Sequence, residues 1–233
     1  MPVAFSRADA NAFTKTLWPV GATLRVSFLN GDAPTRKRVA EIASEWSRHA
    51  NLRFAFKDNS EPTSKERAAD VRIRLTPGGR SGWAYLGTTA REASAEEPTM
   101  ELAVNGLEPT SDEFRLQVLH EFGHVLGLVH ELQNPNAEIE WHRDAVYQEY
   151  TGPPNRWTRQ QVDEQFFNRG DIPRSSYRAF DPQSVMWYVV PEKLFAKPIV
   201  QRTGADLSAS DKRFVSVLYG VVAAQGSTLA ARK

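Results

Sequence analysis

HEFGHVLGLVHE, residues 120–131 of the 233-residue chain, places three histidines within eleven positions. In a helix, His120 and His124 stand one turn apart on the same face, which lets two imidazoles share one tetrahedral zinc ion. Glu121 projects about 100° around the helix axis, beside such a metal, where it can take a proton from water bound to it. Gly127 can adopt a positive φ and turn the chain back, so that His130 supplies a third nitrogen. The stretch therefore predicts a three-histidine site with one Zn²⁺ per chain.

The residues around this stretch predict a helix at the required place. Thr110-x-x-Glu113 is the pattern of a capping box at a helix start, and Gly127 is a plausible stop. An apolar stripe runs between them, formed by Phe114, Val118, Phe122 and Val125. A five-residue His-Glu-x-x-His match arises by accident in many proteins. The extended pattern fixes six positions and falls on a helix predicted from other residues, which favours the metal site.

Composition narrows the chemistry further. The chain has 29 Lys and Arg against 28 Asp and Glu, a net charge of +1, so no basic field for nucleic acid is expected. It has no cysteine, which excludes disulfides, thiolate zinc sites, iron–sulfur clusters and cysteine nucleophiles. Any metal site must use histidine and carboxylate ligands. The two remaining histidines, His49 and His142, are predicted to be surface residues outside the site.

No apolar run approaches the roughly 18 residues that cross a bilayer, so no membrane association is expected. The first twelve residues carry charge but are followed by no apolar stretch, and we predict no signal peptide in this chain.

Hydrophobic periodicity predicts an α+β domain. Strand patterns cover residues 22–29, 52–56, 71–75, 83–86 and 100–104. A first helix begins at Pro34, with Trp46 and Ala50 still on its apolar stripe. Beyond Gly127 the chain is rich in loops, with short helices at 143–150 and 158–168 and a last helix that starts at a Ser208-x-x-Asp211 box. We expect one domain, 1–222, in two lobes (about 1–130 and 131–222), and a flexible tail at 223–233.

The extended histidine pattern resembles the signature of the metzincin zinc peptidases, and Glu131 directly after the third histidine resembles the astacin subfamily. A second segment, FDPQSVMWY at 180–188, is similar to the astacin Met-turn. By that resemblance Met186 forms a hydrophobic floor beneath the zinc ligands. Tyr188 would be the family's switch tyrosine, a weak zinc ligand at rest that swings away to stabilise the reaction intermediate. Glu131 is expected to be structural, bonded to the chain terminus or to the Tyr188 region.

Weaker similarity extends over residues 17–220. The segment 17–24 (LWPVGATL) resembles the opening of astacin catalytic domains, 82–87 (GWAYLG) the strand that rims the cleft, and 207–220 the closing helix. The resemblance implies an N-terminal lobe with a twisted mixed sheet and two long helices, and a C-terminal lobe of loops and helices. It also makes Trp83, Ala84 and Tyr85 candidates for substrate binding at a strand edge, with a place in the core or rim as the alternative for the two aromatic residues.

The chain also departs from the family. Most animal astacins carry disulfides, and this chain can form none, so it resembles catalytic domains of the bacterial and fungal type. Trp187 stands where the Met-turn has a histidine, and no inhibitory propeptide motif is evident.

The residues favour a zinc hydrolase in which Glu121 is the general base. The resemblance implies an endopeptidase in which Tyr188 stabilises the oxyanion and a peptide or protein is the substrate. A metzincin-like hydrolase of a non-protein amide and a catalytically silent zinc-containing binding module remain open, although the intact Glu121 argues against the second. We expect a monomer. The resemblance favours secretion, and the sequence itself leaves the localisation unknown.

Overall fold

A computed structural model of the chain describes residues 16–57, 69–77, 82–104, 108–168 and 179–220. Its centre is a sheet with the strand order β2-β1-β3-β5-β4. The strands are β1 (Thr23–Phe28), β2 (Arg53–Phe56), β3 (Val71–Thr76), β4 (Trp83–Ala84) and β5 (Met100–Ala103). The four adjacent strands β2, β1, β3 and β5 run parallel to one another, while β4 lies antiparallel to β5 at one edge.

The helices are α1 (Ala33–Ala43), α2 (Asp112–Val125), α3 (Arg143–Thr151), α4 (Arg159–Val162) and α5 (Ala209–Tyr219). A π-helical turn, Asp163–Phe167, continues α4. Short 3-10 helices span Trp46–Arg48, Gly87–Glu92, Glu131–Gln133 and Glu192–Leu194. The mixed sheet with its helices confirms the predicted α+β class.

Two clusters of buried side chains hold the domain together. The first lies between the sheet and helices α1 and α2, where the rings of Phe54 and Phe122 meet edge to face at 5.0 Å. Met186 and residues of α5 join this cluster although they come late in the chain. The second is built from residues 132–199 and is rich in aromatic rings, including Trp187 and Phe195. The predicted lobe boundary at residue 130 stays a prediction.

Three local predictions are wrong at their boundaries. Ser111, not Thr110, caps α2, because its hydroxyl accepts the Phe114 N–H at 3.2 Å while its own N–H is held by the preceding turn. Helix α1 ends at Ala43, where the Ser44 hydroxyl bonds back to the Ala40 carbonyl and the chain tightens into a 3-10 turn.

The predicted strand 83–86 is the third of these. It stops at Ala84, because Leu86 precedes a 3-10 helix. By contrast, the capping box predicted at Ser208 is formed and is confirmed, and Thr158 forms a second capping box with Gln161 at the start of α4.

No helix within the described ranges is long and apolar enough to cross a bilayer. The predicted tail at 223–233 and the first fifteen residues lie outside the described residues.

The C-terminal end of α2 is buried, so its free carbonyl groups need donors. Trp18 Nε1 donates to the Val125 carbonyl at 2.7 Å, and the Tyr219 hydroxyl of α5 donates to the Leu126 carbonyl at 2.7 Å. Both donors are buried. The first strand region and the last helix therefore fix the point at which the chain leaves α2 and turns towards His130.

Replacing Tyr219 with phenylalanine leaves the ring packing in place and removes one donor to a buried carbonyl. We expect Tyr219→Phe to lower the free energy of unfolding by about 1–3 kcal/mol in denaturant titrations. Arg213→Ala, an exposed change on the same helix, is the control and should stay within about 0.5 kcal/mol of the wild type. An unchanged midpoint for Tyr219→Phe would mean that this hydrogen bond does not hold the helix end.

Candidate metal centre and catalytic cleft

The last two turns of α2 carry His120 and His124, and the chain reverses directly after them. Gly127 adopts φ +83°, and a Cβ atom there would come within 2.9 Å of Leu17 Cδ2. Both the backbone conformation and the space favour glycine at this position. The reversal returns His130 to the histidines of the helix.

The three imidazoles converge on one point. One candidate ligand atom from each of His120, His124 and His130 lies within 4.8 Å of the others. Ring centroids are 4.6–5.1 Å apart, and Nε2 of His124 is 2.9 Å from Nε2 of His130. A tetrahedral zinc ion about 2.0–2.1 Å from each nitrogen separates its ligand atoms by about 3.3 Å. The spacing of the rings fits such an ion after small movements.

Hydrogen bonds to main-chain carbonyls set the orientation of both helix histidines. Nδ1 of His120 lies 2.7 Å from the Val185 carbonyl, and Nδ1 of His124 lies 2.8 Å from the Leu128 carbonyl. A carbonyl only accepts, so each Nδ1 carries the proton and each Nε2 presents a lone pair. Nε2 of His120 is buried and has no hydrogen-bond partner. A buried Nε2 lone pair without a donor is the arrangement expected of a metal ligand before the metal binds.

Burial keeps the rings uncharged. Removal from water lowers the pKa of His120 to about 4 and that of His124 to about 3, and it lowers the pKa of His130 well below its ordinary value. Mutual repulsion of the histidines adds to the effect for His124 and His130. Neutral imidazole is the form that binds zinc, so the site is prepared for a cation over the neutral pH range.

Glu121 lies beside this centre and is also buried. Burial raises the pKa of its carboxyl group to about 8, and Oε2 has no hydrogen-bond partner. Its other oxygen packs against the backbone of Gly82, where a Cβ atom would lie 2.7 Å from Oε1. Gly82, whose role here is not predictable from the sequence, thus leaves the room that this carboxyl group occupies.

The Met-turn segment lies under the centre. Met186 is fully buried, and its sulfur is so close to Gly123 that a Cβ atom there would be 2.3 Å away. The Glu131 N–H donates to the Met186 carbonyl at 3.0 Å. The Glu131 carboxylate accepts from Asn134 Nδ2 at 3.0 Å and from the Asp181 N–H at 3.3 Å. These contacts tie the residue after the third histidine to the segment that leads to Tyr188.

Tyr188 stands at the open side of the centre. Its ring centroid lies 4.4 Å from that of His130 and 5.1 Å from that of His120. Removal of its hydroxyl from water, with the nearby Glu121 carboxylate, raises the pKa of Tyr188 well above its usual value. Because its pKa is raised, the Tyr188 hydroxyl stays protonated at neutral pH and can donate a hydrogen bond. The residue as a whole is 42% exposed.

A cleft of about 440 Å³ opens onto His124 and His130 of the histidine cluster. Trp83 and Ala84 of the edge strand line one side, whereas Tyr85 packs edge-on against Trp83 at 5.8 Å and is absent from the lining. Glu101 also lies in the lining. The opposite side was not predicted from sequence. It is formed by Leu132, Tyr150, Trp157, Gln165 and Phe166.

No model of a protein family matches this sequence, and no curated protein does. Solved structures do match. A structure of myroilysin is 32% identical with a TM-score of 0.77, and the match covers 88% of this chain and 96% of that one. A second myroilysin structure is 33% identical with a TM-score of 0.62, covering 88% and 86%.

A more distant match is high choriolytic enzyme 1, a hatching-enzyme zinc protease from the medaka fish Oryzias latipes. It is 16% identical with a TM-score of 0.53, over 90% of this chain and 96% of that one. At this identity the likeness supports the fold alone.

If the three histidines form one metal site, removing the half-buried His130 should reduce zinc affinity by at least about a hundredfold, because a third of the protein's donors is lost. Competition with a chromophoric chelator measures this for His130→Ala. His142→Ala removes an exposed histidine at the start of α3 and should bind zinc as the wild type does. Equal affinity in both variants would rule out His130 as a ligand.

Proposed function

Because the chain belongs to the astacin-like zinc metallopeptidases of the metzincin clan, we propose that it is an endopeptidase that hydrolyses peptide bonds with Glu121 as general base. The observation that carries this proposal is the convergence of His120, His124 and His130 next to a cleft that His124, His130 and the buried Glu121 all line. Zinc metallopeptidase activity in general follows from the family.

His120, His124 and His130 would hold the zinc ion as neutral imidazoles and leave the cleft side open. Zinc, when bound, supplies a Lewis acid that makes water acidic enough to lose a proton near neutral pH and that polarises a carbonyl group. The main-chain acceptors at Val185 and Leu128 keep the rings aimed at one point, so little reorganisation is needed on binding.

Glu121 moves the proton. A cation bound by the neighbouring histidines would favour the ionised form of this buried group, and the carboxylate would then take a proton from the attacking water as the water oxygen bonds to the scissile carbonyl carbon. The same group then delivers that proton to the peptide nitrogen as the carbon–nitrogen bond breaks, so the amine leaves neutral. An Oε2 atom without a hydrogen-bond partner supports this role, because no neighbour competes for the proton.

Tyr188 would donate a hydrogen bond from its hydroxyl to the oxyanion that forms on the former carbonyl oxygen. Its ring lies against His130 and faces the cleft, which supports this placement. Met186 supports the ligands from below, and Glu131 anchors the segment that carries Tyr188. Gly127 reverses the chain and so brings His130 to the other two histidines.

The substrate would bind between two unlike walls. The edge strand β4 is paired on one side by β5 and offers its other side to an extended peptide. The facing wall stacks Trp157 on Tyr150 at 5.1 Å, and Tyr150 meets Phe166 at 4.6 Å. Among the described lining residues, the charged ones are both acidic, Glu101 and Glu121. The aromatic wall favours a large apolar side chain of the peptide. The two glutamates disfavour an acidic one.

Glu121→Gln keeps the size of the side chain and removes its ability to accept and return a proton. We expect zinc to remain bound and kcat for peptide hydrolysis to fall by about 10²–10⁴-fold. Glu113→Gln, an exposed change in the first turn of the same helix, is the matched control and should cleave normally. Measuring peptide turnover and zinc content together separates the outcomes. Cleavage by Glu121→Gln at the wild-type rate would refute the assigned base.

Turnover also discriminates the proposal from its alternatives. A wild-type chain that binds zinc but cleaves no protein or peptide in a panel of casein, denatured protein and quenched peptides would contradict an endopeptidase. Release of product from small non-protein amides under the same conditions would identify the other hydrolase.

Trp157→Ala tests the aromatic wall. Truncation removes apolar contact worth about 1.5–3 kcal/mol when fully buried, so we expect kcat/KM for peptides with a large apolar side chain to fall about tenfold. Peptides with a small residue at that place should be cleaved almost as before, which gives an internal control. A peptide library cleaved by both proteins measures the ratio. Parallel losses across the library would show that Trp157 does not select substrates.

A further inference from the structure

We propose that Asp211, on the last helix, is a positioning residue for the metal centre, acting on His120 through Ser184 and one peptide group of the Met-turn. The inference rests on the proposed function, since it concerns the same zinc site. Asp211 is fully buried, and it comes 91 positions after His120 in the chain.

The hydrogen bonds form an unbroken series. The Ser184 hydroxyl donates to Asp211 Oδ1 at 2.6 Å, and Ser184 Oγ accepts the Met186 N–H at 3.0 Å. That N–H belongs to the same peptide group as the Val185 carbonyl, which accepts Nδ1–H of His120 at 2.7 Å. Each donor in the series points towards the carboxylate.

This direction has an electrostatic consequence. A carboxylate at one end polarises the hydroxyl and the peptide group, which makes the Val185 carbonyl a stronger acceptor. A stronger acceptor holds the proton on Nδ1 of His120 and makes Nε2 a better ligand. The buried position of all these groups keeps the effect from being screened by water.

Asp211 also holds the turn mechanically. Its Oδ2 accepts the Val185 N–H at 2.9 Å, so the carboxylate grips the turn at two places. The next carbonyl along the turn, that of Met186, accepts the N–H of Glu131, which is the residue that follows His130. A displaced turn would therefore disturb both the His120 ring and the chain that carries His130.

The competing explanation is that Asp211 serves its own helix. Oδ2 accepts the Ser208 N–H at 3.0 Å and completes the capping box of α5. Ser208 supplies the control that separates the two roles. Its hydroxyl caps the helix at the Asp211 N–H and donates to Asp181, but it is not in the series that leads to His120.

The experiment compares Asp211→Asn, Ser184→Ala and Ser208→Ala with the wild type. Zinc dissociation constants come from chelator competition at one neutral pH, and the melting temperature of each zinc-free protein comes from circular dichroism. We expect Asp211→Asn and Ser184→Ala to weaken zinc binding by about tenfold to a hundredfold. Ser208→Ala should lower the melting temperature through the lost cap yet keep zinc affinity within about twofold.

The visible spectrum of the cobalt(II)-substituted proteins adds a readout of ligand geometry. It should change in Asp211→Asn and Ser184→Ala and stay unchanged in Ser208→Ala. If Asp211→Asn does not fold, Ser184→Ala decides by the same criterion, because it leaves the capping box of α5 intact.

Wild-type zinc affinity in Ser184→Ala and Asp211→Asn, or an equal loss in Ser208→Ala, would overturn the positioning role. Peptide cleavage by the wild type in that case would leave the proposed function standing. A wild-type chain that binds no zinc would overturn both.

Discussion

The rest of this structure depends on one constraint, which is that three uncharged imidazole rings must meet at one point largely removed from water. Burial disfavours the charged form of each ring. The Nε2 atoms of His124 and His130 lie 2.9 Å apart, close enough to share either one proton or one cation. The helix end, the reversal at Gly127 and the main-chain acceptors at Leu128 and Val185 all determine where these rings point.

The chain meets this constraint without covalent cross-links, since it has no cysteine. Close packing and buried hydrogen bonds stabilise the metal centre instead. Gly123 lets the Met186 sulfur lie against α2, and Tyr219 and Trp18 satisfy the carbonyl groups at the end of that helix. Segments far apart in the chain thus meet behind the metal centre, so its geometry is coupled to the fold of the last helix.

The histidine cluster is easier to predict from the sequence than the residues that surround it. His120, His124 and His130 sit within one helix turn and one reversal, so local spacing suffices to bring them together. The cap at Ser111 instead of Thr110 depends on the preceding turn, which spacing does not encode. The Asp211 series joins residues far apart in the chain, and the aromatic wall lines the cleft together with the much earlier strand β4. Long-range packing decides such contacts, and no local pattern marks them.

Titration of the zinc-free protein with Zn²⁺, with peptide hydrolysis followed at every addition, tests the central claim most directly. If His120, His124 and His130 form one catalytic centre, activity should rise in proportion to added zinc and reach its limit at one equivalent per chain. Full hydrolysis by the zinc-free protein, or no hydrolysis after one equivalent is bound, would contradict the account.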